Sequence, residues 1–436
     1  MKEMLLIYNA HLIDSNIDVK NGAILINGEK IEGFASKETV KKMMADDKVS
    51  KYDAKGHIVT PSFIDMHAHF RDPGLTQKED IVSGSMAAAA GGYGTVVLMP
   101  NTKPVVSSLK MAEENNKKAQ DAGFVNVIQS VSITKDFDGK SIGHLDELTA
   151  KKVPLITEDG KEVADASVMR EAMKVAGKKK IIVSCHSEDP TLAAAARVLR
   201  NKALSTSDKK TKVQCLTEAN ELLAIAEDSA SYRNIELAHS AGCHVHLCHV
   251  STKESMDCVR RAKEKGWDVT CEVTPHHIGL TGDKGANLFQ IVNPPLRSAE
   301  DQEALIEALR DGTADVIATD HAPHTAEDKA AGSPGFSGIE TSFAVCYTKL
   351  CKENGFSFKK LSSLMSGRPA ELLGLKTRGL LEEGFDADLT VIDEEKLWTV
   401  HGEEFASKGK YTPLEGKKLY GEIVATFLDG EIVFQS

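Results

Sequence analysis

H-I-V-T-P-S-F-I-D-M-H-A-H-F, residues 57–70, is rich in β-branched and aromatic residues and closes on two histidines separated by one residue. That composition reads as a strand. Alternate side chains of a strand share a face, so Asp65, His67, His69 and, a step further, Arg71 are expected to point the same way. Seven runs of similar texture follow: G-T-V-V-L-M-P (94–100), V-N-V-I-Q-S-V-S (125–132), V-P-L-I-T-E-D (153–159), K-I-I-V-S-C-H (180–186), H-V-H-L-C-H-V (244–250), D-V-T-C-E-V-T (268–274) and A-D-V-I-A-T-D-H (314–321). Between them lie Ala/Lys/Glu-rich stretches such as Lys78 to Ala90 and Glu254 to Lys265, which read as helices. Eight strand–helix units predict an α/β chain built on a closed (β/α)8 TIM barrel over residues 56–374. An open doubly wound sheet would announce a Gly-rich phosphate turn after an early strand, and the sequence has none.

The two ends have a different texture. Residues 4–34 alternate short apolar stretches with polar turns, and Asn21-Gly22 and Asn27-Gly28 are hairpin signals. Phe385 to Asp393 and Gly421 to Phe434 repeat the pattern, with Asp429-Gly430 between the last two strands. A small β-sandwich domain assembled from residues 1–55 and 375–436 is expected.

Across 436 residues, 41% hydrophobic and 27% charged composition is that of a chain able to bury a large core. Its 53 basic and 64 acidic residues leave a formal charge of −11, with no long basic run. Nucleic acid and anionic membranes are therefore poor partners, and any bound anion needs a local basic site. The eight cysteines show no C-x-x-C pair, and no apolar run is long enough for a signal peptide or a membrane span, so a cytoplasmic protein with reduced thiols is expected.

Chemistry gathers at the strand ends. His67 and His69 close the first strand, Asp159 the fourth, His186 the fifth, His249 the sixth and Asp320 the eighth. Barrels place reactive groups at these ends, so the six side chains converge on one mouth as metal ligands. Four imidazoles and two carboxylates exceed one tetrahedral zinc; Asp159 could bridge two ions, an arrangement suited to hydrolysis. With His249 inward, Val245 and Leu247 would also face inward, while His244, His246 and Cys248 would face the helices. His276 and His277 fall in a loop and receive no ligand role.

These residues resemble the cyclic amidohydrolases of the amidohydrolase superfamily, and within them the long-chain bacterial dihydroorotase family. D-M-H-A-H-F-R-D-P-G (65–74), M-P-N-T (99–102), T-E-D-G (157–160), H-S-E-D (186–189), H-V-S-T-K-E-S (249–255), E-V-T-P-H-H (272–277), N-P-P-L-R (293–297), A-T-D-H-A-P-H (318–324), G-R-P-A-E-L-L-G-L (367–375) and E-G-F-D-A-D-L (383–389) carry the likeness in order. The resemblance implies one zinc on His67, His69 and Asp320, a second on His186 and His249, and Asp159 between them. One or two Zn2+ per subunit would bind, two being favoured. Hydantoinases and allantoinases use a carboxylated lysine as the bridge; here the fourth strand ends on Asp159, with Lys151, Lys152 and Lys161 misplaced for that role. Glu158 should point away, to a supporting or solvent-facing position.

The implied reaction is the reversible opening of L-dihydroorotate to N-carbamoyl-L-aspartate in pyrimidine synthesis, with Asp320 as the catalytic acid–base. The resemblance assigns the substrate carboxylate to Arg71, Asn101 and His324, with His69 also facing the substrate. It assigns the ring to Asn293 and to the backbone of Pro334 and Gly335. Arg71 offers the planar fork that a carboxylate prefers. Lid segments are expected at Thr325–Ser337 and Gly282–Asn287, and a symmetric homodimer is the prior for a soluble enzyme. Two alternatives stay open: an allantoinase or hydantoinase acting on an uncharged ring, and an inactive scaffold, for instance a partner of aspartate carbamoyltransferase.

Overall fold

The computed structural model describes residues 4–283 and 285–436. Residues 1–3, included in the expected terminal domain, and Lys284, inside the second expected lid, lie outside the described residues.

All eight runs are barrel strands: Phe63–Ala68, Tyr93–Leu98, Asn126–Gln129 continued by Val131–Ser132, Leu155–Thr157, Ile182–Cys185, Val245–Leu247, Val269–Val273 and Val316–Ile317. Each pairs in parallel with the next. A parallel bridge from Ala68 to His321 joins the last to the first. The intervening helices start on side chains that accept a first-turn amide: Asp80, Ser108, Asp165, Asp189, Thr252 and Ser298. Val96, Leu98, Val183 and Val245 pack outward against small helix residues such as Ala112 and Ala176. Inside, Ile64, Met66, Val97, Met99, Leu155, Ile182, Val316 and Ala318 meet Ala370 and Leu373. This apolar plug fills the end where the strands begin and leaves the opposite end for polar groups.

Two expected strand phases are corrected. The first strand carries a register shift between Asp65 and Ala68. Such a bulge breaks the alternation, so side chains two residues apart can end on opposite faces. Asp65 is therefore not beside the two imidazoles; it is buried against the last strand, accepting from Thr319 N at 2.9 Å and from the Thr319 hydroxyl. In the sixth strand, Val245 and Leu247 join the layer facing the helices, and His246 points into the barrel with Nε2 3.0 Å from Glu272 Oε2. His249 reaches the mouth because the chain turns after Leu247, at φ +34°.

The terminal segments form one eight-stranded sheet that mixes both ends of the chain and takes in Ile58–Pro61. It curls on itself: Ile7, Leu12, Ile24, Val59, Leu389 and Phe427 share one core, and Tyr52 meets Phe427 edge-on at 5.2 Å. Asn27-Gly28 and Asp429-Gly430 turn between strands as read. Asn21-Gly22 does not turn; it lies within strand Asp18–Asn27 at an irregular pairing, with Asn21 at φ +52°. The reversal comes earlier, where Asp14 Oδ1 accepts from Asn16 N and Ile17 N. Thr426 and Thr390 hydroxyls donate to Ala89 O and Gly92 O, fixing the sheet to the barrel. Among the described residues no helix is long and apolar enough to cross a membrane.

Candidate active site

The six expected ligands meet at the carboxyl ends of the strands, all buried. Donor atoms of His67, His69 and Asp320 lie within 4.8 Å of one another, as do those of Asp159, His186 and His249. Asp159 stands between the two groups: its oxygens are 3.3 Å from His67 Nε2, 3.4 Å from His69 Nε2, 3.4 Å from His186 Nδ1 and 3.6 Å from His249 Nε2. Asp320 Oδ1 is 3.1 Å from His69 Nε2 and 3.6 Å from His67 Nε2. His67 Nε2 is buried with no hydrogen-bond partner, a costly arrangement that a cation would relieve. His186 Nδ1 and His249 Nε2 approach to 2.9 Å, both aimed at the space beside Asp159. Nitrogen and carboxylate donors in these two triads suit zinc.

Supporting contacts fix which atoms face the cluster. Glu272 Oε1 is 2.7 Å from His67 Nδ1 and also accepts from His249 N at 3.1 Å, while its other oxygen faces His246. A carboxylate behind an imidazole holds the tautomer with Nε2 free for a metal. Asn101 Oδ1 does the same for His69 Nδ1 at 2.9 Å, and Asn101 Nδ2 donates to Asp159 Oδ2 at 3.3 Å. Gly160 follows Asp159 at φ +80°, where a Cβ would lie 2.9 Å from Asn101 Nδ2, so a side chain there would displace that amide.

Charge balance favours a cation. Burial works against a charged His67, yet Asp159 and Glu272 raise its pKa well above the usual value. Burial likewise works against the carboxylates, yet the surrounding imidazoles hold Asp159, Asp320 and Glu272 low. Burial lowers His69. Three ionised carboxylates around four imidazoles make a site that attracts positive charge.

A cavity of about 200 Å³ opens over the cluster. His69, Arg71, Asn101, Asn293, His324, Pro334 and Gly335, the expected substrate residues, all line it. Arg71 is buried; its Nε lies 3.4 Å from Pro323 O and its Nη2 3.4 Å from His324 Nε2, and among the described residues it forms no ion pair. His324 Nε2 donates to Pro334 O at 2.8 Å. Burial, then the charges of Arg71 and Lys78, push the His324 pKa down to about 3, so its ring is neutral. Asn293 uses both ends of its amide on neighbours: Nδ2 donates to Glu188 at 2.8 Å, and Oδ1 accepts from Arg200 at 2.7 Å.

Several functional contacts escaped the sequence reading. Glu272 went unread although a lone acid inside V-T-C-E-V was a visible signal. Cys248 faces the barrel interior, its sulfur within 4.8 Å of His67 and Asp159 donors. Glu158 is buried rather than solvent-facing, accepting from Thr134 N at 2.9 Å and from its hydroxyl. Within the first lid candidate Ser333–Gly335 borders the cavity; Leu288, the residue after the second candidate, packs on Ala203, Cys215 and Leu216.

The sequence pattern of the amidohydrolase family matches residues 58–433. A protein named dihydroorotase from Clostridium botulinum (strain Eklund 17B / Type B) is 44% identical over 432 residues, covering 99% of each chain. One of the same name from Staphylococcus aureus (strain Mu50) is 40% identical over 429 residues, covering 96% of this chain and 99% of its own. Among solved structures, the L-hydantoinase (dihydropyrimidinase) from Arthrobacter aurescens superposes with a TM-score of 0.86 at 26% identity, covering 100% of this chain and 96% of that one.

Proposed function

The chain belongs to the amidohydrolase family, and from that premise we propose that it interconverts L-dihydroorotate and N-carbamoyl-L-aspartate in pyrimidine synthesis. The observation that carries the substrate choice is Arg71: a buried guanidinium without an acid partner among the described residues, in the same cavity as the His/Asp cluster. A desolvated cation whose acceptor among the described residues is the Pro323 carbonyl calls for an anion, and the substrate's carboxylate supplies one.

His67, His69 and Asp320 would hold one zinc, His186 and His249 the other, with Asp159 shared. Zinc bound there supplies Lewis-acid polarisation and makes water acidic enough to attack at neutral pH. The protein's own groups do the rest. Arg71 grips the carboxylate with its fork, neutral His324 lines the same grip, and Asn101 has a second Nδ2 hydrogen free for substrate after serving Asp159. Asn293, braced by Glu188 and Arg200, borders the ring.

In ring opening Asp320, ionised and at the mouth, takes a proton from the attacking water on its carboxylate and returns it to the departing ring nitrogen. Closure needs Asp320 protonated at the start. Closure is therefore favoured at lower pH and opening at higher pH, and identical optima in both directions would count against this role.

The enzyme is proposed to work in the cytoplasm as a homodimer. The intact donor set argues against an inactive scaffold that serves only aspartate carbamoyltransferase. Spectrophotometric assay of the zinc-loaded protein with dihydroorotate, hydantoin and allantoin tests the reading. Turnover of dihydroorotate supports it; turnover of only the uncharged rings would replace it with a hydantoinase-like activity.

A further inference from the structure

Behind the cavity wall lies a cation used by neither the ligand cluster nor the substrate grip. Lys329, in the short helix Ala326–Ala330, is half-buried. Its Nζ donates to three backbone carbonyls: Gly335 at 2.7 Å, Ser333 at 2.8 Å and Ile291 at 3.2 Å. Among the described residues it forms no ion pair. An ammonium has three donors, so three carbonyls satisfy it. The Tyr411 ring, with its centroid 4.7 Å from Nζ, covers another side.

The three carbonyls have a common position. Ser333 and Gly335 flank Pro334, whose carbonyl receives His324, and all three residues line the cavity. Ile291 lies two residues before Asn293, and its carbonyl also receives Gly335 N at 3.1 Å. The loop has no regular secondary structure of its own, and it passes through Gly332 at φ +83° and Gly335 at φ +110°. Glycines at such angles leave an unsupported loop many alternatives.

We propose that Lys329 is a positioning residue: it clasps the Ser333–Gly335 loop to the segment leading to Asn293, and so holds the cavity wall and His324 in the form that receives the substrate's acid group. The proposal rests on the reading of this cavity as the substrate site.

The clasp needs the proton, because a neutral amine has only two donors. Burial, then the charge of Arg200 across the neighbouring cavity, bring the Lys329 pKa down to about 8. Other groups facing it do not offset this. The phenol of Tyr411 is raised by burial and bonded to Gln290. Asp328 is engaged by Lys78 at 3.2 Å, and Glu188, across the same cavity as Arg200, is bonded to Asn293. The clasp therefore weakens as pH rises through about 8.

The test uses the zinc-loaded full chain, comparing wild type with K329M and K329R by steady-state kinetics on dihydroorotate and by amide hydrogen exchange over residues 331–337. K329M removes all three hydrogen bonds of the ammonium, so KM rises and exchange in that segment accelerates, each by at least about tenfold, the order of losing even one hydrogen bond to a charged group. Zinc content and kcat change far less. Wild-type KM climbs above about pH 8, and K329R, whose guanidinium keeps its proton, loses that climb. KM and exchange in K329M within about twofold of wild type would overturn the proposal, as would an alkaline climb retained in K329R. Should K329M fail to fold, the wild-type and K329R pH profiles decide. Should wild type not turn over dihydroorotate, the functional reading fails, and exchange in K329M still decides the clasp.

Discussion

Replacing Glu272 by glutamine tests the architecture of the site without touching an expected ligand. The carboxylate accepts from His67 Nδ1 at 2.7 Å, from His246 Nε2 at 3.0 Å and from His249 N at 3.1 Å. Glutamine keeps the shape but removes the charge and one acceptor, so either His67 or His246 faces an amide N–H. In either orientation His67 loses the carboxylate charge behind its Nδ1, which fixes its Nε2 towards Asp159 and Asp320. Loss of such a carboxylate–imidazole contact costs about 10- to 100-fold in metal affinity, which is about 1.4–2.7 kcal/mol. Chelator competition on the apo protein reads this directly as a zinc dissociation constant. Thermal unfolding of the apo variant separates loss of binding from loss of fold. Zinc affinity within about twofold of wild type, in a folded variant, would refute the argument that Glu272 orients a ligand.

Arg71→Ala should raise KM for dihydroorotate by about 100-fold, the scale of a lost charge-assisted bidentate pair, while zinc content measured by elemental analysis stays near wild type. Asp320→Asn should abolish turnover in both directions and leave zinc largely bound; retained turnover would remove Asp320 from proton transfer. Glu340, raised to about 7 by burial despite amides from Ala406 and Ser407, titrates higher in the folded chain than its ordinary 4.5. The folded state thus holds an extra proton between these values, and stability falls as pH rises through that window. Glu340→Gln should flatten this part of the melting-temperature profile.

The barrel was legible because buried parallel strands are near-continuous apolar runs, five of them closing on a histidine or aspartate too polar to be core. Asp159, His186 and Asp320 were readable for that reason. Where the backbone leaves regular geometry, alternation misleads. The bulge after Asp65 and the turn that delivers His249 at φ +34° both reversed a face. Asn21-Gly22 carried the local signature of a turn, and the pairing of two long strands absorbed it as an irregularity. Lys329 and Arg200 were illegible for another reason: their partners are carbonyls and amides from distant loops, and no pattern of residue types marks a backbone oxygen.

The barrel's closing contact has a kinetic corollary. His69 N donates to His321 O, and Asp320 N donates to His67 O, so one triad straddles the join between first and last strands. His69 and Asp320 are 251 residues apart in sequence. A nascent or truncated chain ending before that join lacks Asp320, one of the three donors of that triad, and contacts this remote form late. Zinc uptake at that triad would then report completion of the ring, and a mutation slowing the final docking would show as sluggish loading of that triad in a protein whose far-ultraviolet spectrum already looks mature.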